Sequence, residues 1–189
     1  MMPPLVCLAS ASPRRRELLQ AAGWQVQVHP ADVDETRLPD EDPAHYVLRL
    51  ARAKAAAIAP SVHDSPVLGA DTVVVLGDQL FGKPRDDAHA RAMLTQLAAR
   101  THQVLTGVCL RLGSRECSGL DITAVTFGPL SATDLDAYIA TGEPGGKAGA
   151  YAIQGRAACF IPRIEGSYSN VVGLPLALVW CLWRQLQAS

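Results

Sequence analysis

Three arginines, Arg14, Arg15 and Arg16, follow Ser10, Ser12 and Pro13, where an apolar run gives way to a helical pattern. A cation in the first turn of a helix opposes the macrodipole at up to ~1 kcal/mol each, so something anionic is expected to offset them. A strand, a tight serine-bearing loop and a helix N-terminus with guanidinium forks is the general construction of a phosphate receptor. A solvated basic turn paired with Glu17 gives the same sequence pattern. Asp71 lies in the middle of the apolar run Val67–Leu76. A carboxylate there costs several kcal/mol unless it is paired, bound to metal or at the strand's open end. Asp32, Asp34 and Glu35 form an acidic group of the kind that holds magnesium through oxygen, although an acidic loop by itself is usually just solvated. Lys54 interrupts an apolar helix face, and Lys83 lies in Gly82-Lys83-Pro84. Acids beside several cations are what a polyphosphate and its metal ion require, and the combination outweighs its parts.

The elements that must position these groups are legible from periodicity and caps. Leu5–Ala9 is an apolar strand. Ser12 caps a helix with Pro13 at its first position, and Gly23 stops it. Gln25–Val28 is a second strand and Pro30–Asp42 an acidic loop. Pro43–Ile58 carries Val47, Leu50 and Ala51 at helical spacing, with Lys54 continuing the stripe. Val67–Leu76 has the near-continuous apolar pattern of a strand covered on both faces. A helix over Asp86–Leu97 precedes two long strands, Val104–Leu112 and Glu116–Phe127, placed to pair antiparallel. Ser131 and Asp134 form a capping box for a helix ending at Ala140. Glu143–Gly155 is glycine-rich and irregular, and Val171–Leu186 is expected as one closing helix. Strands alternating with helices beside long neighbouring strands imply an α/β fold around a mixed, twisted sheet flanked by helices. No repeat or linker divides the 189 residues, so a single domain over 1–189 is the default.

Composition removes several classes. Seventeen basic against eighteen acidic residues leave a net charge of −1, with no excess to hold a nucleic-acid backbone. Apolar residues make up 49% of the chain, too many for a disordered protein. The longest apolar stretch, 171–183, is interrupted by Gly173 and Pro175 and falls short of the ~20 residues of a bilayer span. With no export signal around Leu5–Ala9, the cytosol is the expected location. The five cysteines are odd in number and lack a Cys-x-x-Cys pair, so they are expected as reduced core thiols. The segment from Gly142 to Ala148 resembles a Walker A loop but is one residue short and lacks Ser/Thr after Lys147. Histidines show no ligand spacing. Basic residues divide into fourteen arginines and three lysines, Lys54, Lys83 and Lys147, which hints that a compact ammonium is required at those three places.

Several ordered blocks are also those of a known family: 8–15 (LASASPRR), Val33-Asp34-Glu35, 50–55 (LARAKA), 69–74 (GADTVV), Gly82-Lys83-Pro84, and the long segments 143–155 and 166–175. From about Leu5 to Trp180 the chain resembles the Maf family of nucleoside triphosphate pyrophosphatases. The resemblance implies an inosine-triphosphatase-like α/β fold with the active site in a cleft. It also implies a divalent metal, Mg2+ or Mn2+, and cleavage between the α and β phosphates to a nucleoside monophosphate and pyrophosphate. It places the catalytic base at Asp71, phosphate contacts at Ser10, Arg14, Lys54 and Lys83, and metal ligands at Glu35 and Asp71. It gives Lys147 either a phosphate contact or the bracing of its loop.

Base preference follows from three positions, Arg15, Thr72 and Gln154, at which this chain is similar to the dTTP/UTP branch of that family. The branch acting on 7-methylguanosine triphosphate typically has Trp, Gln and Glu there. Gln154 offers one amide donor and one acceptor, suited to the O4 and N3–H edge of thymine or uracil, and a flipped amide accepts cytosine. A nucleotide-binding regulator of cell division is the alternative from another class, although a pure binder has no need of a buried acid beside a metal-binding loop. The expected partner is the nucleoside triphosphate alone, without nucleic acid or membrane, and the resemblance allows a homodimer. One departure stands out: the family commonly carries Ser-Gly before the strand with Thr101-His102, where this chain has Ala98-Ala99.

Overall fold

Helix starts follow the caps. Ser12 accepts the Arg15 N–H at the head of α1 (Pro13–Ala21), and Asp42 accepts from Ala44 and His45 at the head of α2 (Pro43–Ile58). Asp86 accepts the His89 N–H before α3 (Asp87–Leu97), and Ser131 with Asp134 completes the expected capping box of α4 (Ala132–Ile139). The computed structural model describes residues 5–62 and 65–188. Its strands are β1 (Leu5–Leu8), β2 (Gln25–Val28), β3 (Val67–Leu76), β4 (Gln79–Phe81), β5 (Thr101–Leu112), β6 (Arg115–Thr126) and β7 (Arg163–Glu165).

The hydrogen-bonded order is β2-β1-β3-β5-β6-β7, with β4 paired to β3. β1 is parallel to both β2 and β3, whereas β4 on β3 and β7 on β6 are antiparallel, so the sheet is mixed, as expected. β4 and β7 were not anticipated. At three residues each they are too short for a period-2 pattern to register.

The described chain forms two compact units, and β3, β5 and β6 each contribute to both. The first comprises residues 5–72, 106–121 and 173–188. Side chains on β1 alternate between its faces. Val6 and Leu8 pack with Leu68, Leu110, Leu19 and Trp183, while Cys7 and Ala9 pack with Ala51, Ala55 and Cys109. Both faces of β1 are thus buried, which is what a parallel strand between helices requires. The second unit, Val73–Leu105 and Ile122–Val172, has its own core around Phe81, Leu94, Leu97, Phe127, Tyr138 and Tyr151.

Two local expectations are corrected. The closing helix is two helices, α5 (Tyr168–Val172) and α6 (Leu176–Ala188). Pro175 has no N–H to continue a helix, and it disfavours helical backbone in the residue before it. Of the five cysteines, all free, only Cys7 and Cys109 are buried; Cys159 and Cys181 are exposed, because each sits on an outward turn of a short or surface helix. At the Ala98-Ala99 departure, Ala99 adopts φ 56°, the left-handed region where a Cβ is unfavourable. Among the described residues, no helix is long and apolar enough to cross a membrane.

Candidate functional site

In the first unit, β1 ends just before Ser10, and the chain enters α1 through Ser12. Ser10 is buried, and its Oγ accepts the Ser12 N–H at 3.2 Å and an Arg15 Nη1 hydrogen at 3.1 Å. Both lone pairs are engaged, which leaves the hydroxyl proton to donate to a ligand. Arg15 is buried as well. Its Nε donates to the Gly173 carbonyl at 2.8 Å, Nη1 also to the Ala70 carbonyl at 2.9 Å, and Nη2 to Thr72 Oγ1 at 3.0 Å. Four of its five N–H donors meet protein acceptors, and one Nη2 hydrogen remains. Burial pulls the Arg15 pKa down, while Asp71 and Glu35 pull it up and Arg14 lowers it further.

Thr72 Oγ1 completes this knot. It lies 2.9 Å from Thr106 Oγ1 and donates toward the Gly173 carbonyl at 3.3 Å. Arg14, half-buried, makes no side-chain hydrogen bond among the described residues. Its pKa is lowered by burial and raised by Glu17. Arg16 is exposed. The three consecutive arginines therefore have three different environments, with Arg15 a clamp inside the protein and Arg14 available to an anion.

The second cluster depends on α2 approaching β3 closely. A Cβ on Gly69 would stand 2.1 Å from the Ala51 carbonyl oxygen, so glycine there lets the small residues Ala51 and Ala55 sit against the strand. Gly69 stands two residues before Asp71 on β3, and the close contact there brings Lys54 of α2 onto Asp71. Lys54 Nζ lies 2.6 Å from Asp71 Oδ1 and 2.6 Å from Glu35 Oε1, with Lys54 and Asp71 side chains 9% and 13% exposed. The buried-strand carboxylate is thus paired, and its partner is the lysine that interrupts the apolar helix face.

Glu35 is held by groups that sequence reasoning missed. Tyr46 on α2 donates to the Glu35 carbonyl at 2.8 Å, and Arg49, one turn on, donates to the Thr36 carbonyl at 3.1 Å. Arg49 also forms a bidentate pair with Glu41 at 2.6 and 2.8 Å, which brings the Glu41 carboxyl down to about 2. Burial, with Asp71 and Glu35 nearby, raises the Tyr46 phenol. The i, i+3 spacing of Tyr46 and Arg49 beside the Lys54 stripe was the one signal available. Asp34 accepts the Thr36 N–H at 2.8 Å, and the Thr36 side chain together with that N–H lowers its pKa, so it shapes its own loop. Asp32 is exposed.

Glu35 and Asp71 are the residues that could hold a metal. Their oxygens converge on one cationic nitrogen, and hard oxygen donors over so short a span fit Mg2+ or Mn2+, which take one or two carboxylates and complete their shell with water and phosphate. Among the described residues no group of three or more His, Cys, Asp or Glu side chains is placed to hold a metal ion.

Three of the named residues belong to the second unit. Lys83 is exposed in the loop after β4, whose Gly82 carbonyl accepts the Gly149 N–H at 3.1 Å. Gln154 is exposed in the turn before Arg156. Lys147 donates to the Glu143 carbonyl at 2.5 Å and the Gly145 carbonyl at 3.3 Å, so it braces its loop.

These features define an α/β protein with a mixed sheet, in which acids and cations meet beside a helix N-terminus. Residues 5–186 match the family described as Maf-like protein. A dTTP/UTP pyrophosphatase of Anaeromyxobacter dehalogenans (strain 2CP-C) is 50% identical over 188 residues, covering 97% of this chain and 95% of that protein. A dTTP/UTP pyrophosphatase of Salmonella typhimurium is 51% identical over 182 residues, covering 96% and 92%. Among solved structures, the Ham1 protein of Staphylococcus aureus aligns with 65% of this chain and 71% of its own, at 14% identity and a TM-score of 0.47. The chain belongs to the Maf family.

Proposed function

We propose that this protein hydrolyses dTTP and UTP, and related pyrimidine nucleoside triphosphates including CTP, to the nucleoside monophosphate and pyrophosphate, in the cytosol. The observation that carries the reading is the convergence of Glu35 and Asp71 on Lys54, in the same unit as the Ser10 hydroxyl and the head of α1. Whole-length relatives at about half identity, named dTTP/UTP pyrophosphatases, support the substrate.

In this reading Asp71 takes a proton from the attacking water as the water oxygen bonds to phosphorus and the α–β bridge breaks. Lys54, the Ser10 hydroxyl, Arg14 and the N–H groups at the head of α1 stabilise the negative charge that collects on the departing pyrophosphate. A Mg2+ or Mn2+ ion held by Glu35 and Asp71 would neutralise phosphate charge and lower the pKa of bound water. Lys83 supplies a further phosphate contact from its exposed loop. Arg15 and Thr72 set the shape of the base-reading region through their shared hydrogen bonds, and Gln154 reads the pyrimidine edge.

The test is Asp71→Asn, assayed for pyrophosphate release from dTTP and for dTTP binding by calorimetry. Loss of a general base lowers turnover ~100- to 10,000-fold with binding retained. Chelation of divalent cations should abolish wild-type turnover, and Mn2+ or Mg2+ should restore it. Undiminished pyrophosphate release by Asp71→Asn, or release of orthophosphate alone by the wild type, would sink the mechanism.

A further inference from the structure

Gln154 is an exposed turn residue, and a side-chain amide on a loose turn discriminates poorly, because its donor and acceptor must be held to a fraction of an ångström. The second unit contains a device that holds this turn from beneath. Tyr138 on α4 is buried, its ring perpendicular to that of Phe160 at 5.6 Å between centroids. Its hydroxyl donates to Glu143 Oε1 at 2.8 Å and accepts the Ala152 N–H at 3.2 Å. Glu143 Oε2 accepts the Arg156 N–H at 3.0 Å, and Oε1 accepts the Ala157 N–H at 3.5 Å.

Ala152 and Arg156 each stand two residues from Gln154, so the pair of side chains grips the turn on both sides. The Gly155 N–H closes it on the Ala152 carbonyl at 3.0 Å. A Cβ on Gly155 would lie 2.3 Å from Glu143 Oε2, so the carboxylate fills the space under the turn and any larger residue there would push it out of place. Burial pushes the Glu143 carboxyl up, but the N–H groups of Arg156 and Ala157 and the Tyr138 hydroxyl outweigh it and hold the carboxyl below its usual range.

We propose that Tyr138 and Glu143 are positioning residues for base selection, fixing the 152–156 turn so that Gln154 presents its amide to the pyrimidine in one orientation. This rests on the reading of Gln154 as the base-contacting residue. Neither side chain touches substrate, and both act through the turn.

The experiment is a double-mutant cycle of Tyr138→Phe and Gln154→Ala. It is read as kcat and KM for dTTP against GTP, with a thermal melt to establish that each variant is folded. Tyr138→Phe removes one oxygen and leaves the ring packing. It should raise KM for dTTP and lower the dTTP-to-GTP ratio of kcat/KM about tenfold, with kcat for dTTP kept within about twofold. In the Gln154→Ala background the same change should have almost no further effect on the ratio, because the group being positioned is gone.

Glu143→Gln supplies a second route if Tyr138→Phe is poorly folded. One amide oxygen cannot serve three donors, so the ratio should fall in the same way. Multiplicative effects of the two changes, or an equal loss of kcat on both triphosphates, would overturn the positioning role. If Gln154→Ala leaves the ratio unchanged, base reading by Gln154 fails and the positioning role falls with it. If Gln154→Ala collapses the ratio while Tyr138→Phe and Glu143→Gln do not, the base reading stands and only the positioning is refuted.

Discussion

Replacing Arg15 by lysine keeps the charge and removes the fork. The guanidinium uses three nitrogens, which donate to Gly173 O, to Ser10 Oγ and Ala70 O together, and to Thr72 Oγ1. A lysine has one nitrogen on a narrower head, and at best it serves the Ser10 and Ala70 pair that Nη1 now shares. The bonds to Gly173 and Thr72, 2.8 and 3.0 Å long, are lost. Hydrogen bonds from a charged donor contribute ~1.5–3 kcal/mol each, so two of them amount to ~3–6 kcal/mol. Part returns, because Thr72 Oγ1 already reaches the Gly173 carbonyl at 3.3 Å and can shorten that bond. The expected loss is about 3 kcal/mol in the unfolding free energy. Urea denaturation at neutral pH would show it as a lower midpoint with an unchanged slope. A loss below about 1 kcal/mol would refute the account of Arg15 as a buried clamp, since only an exposed arginine gives so little.

Two further outcomes follow from single positions. Ala99→Gly should stabilise the protein by roughly 0.5–1 kcal/mol, because glycine adopts the observed φ of 56° without a Cβ penalty; a lower melting temperature would contradict this. His102 is buried with its Nε2 on Tyr151 Oη at 2.8 Å and no partner for Nδ1 among the described residues, and burial brings its pKa down to about 4 from 6.5. The unfolded chain takes up a proton first as pH falls, so this contribution is complete above about pH 6.5 and is lost down to about pH 4, ~3 kcal/mol in all. His102→Phe should flatten the fall in unfolding free energy between pH 7 and 4.5, and an equally steep fall in that variant would exclude His102 as its source.

How much of this was legible in the chain varies with the range of the interaction. The starts of α1 to α4 were readable because a cap and the helix it opens lie within four residues of each other. The buried course of β3 was readable from its apolar run, and Asp71 stood out because the rest of that run is uncharged. The break between α5 and α6 was present as Gly173 and Pro175, yet the apolar periodicity on either side read through it. Burial of the cysteines was misjudged at Cys159 and Cys181, since a residue type carries only an average preference for the interior.

Residue type and spacing alone pointed toward phosphate chemistry: the serine and arginines before a helix, the acid in a buried strand and the lysine that interrupts an apolar helix face are local features. Which of them come together depends on tertiary packing. Arg15 is tied to Gly173 across 158 positions, and Lys54 joins Glu35 to Asp71 from a separate helix. It also divided three adjacent arginines into a buried clamp, a half-buried candidate anion contact and a solvated surface group. The physical reason is that desolvation and hydrogen bonding depend on what packs against a side chain, and those neighbours are brought by the sheet and helices from distant parts of the chain.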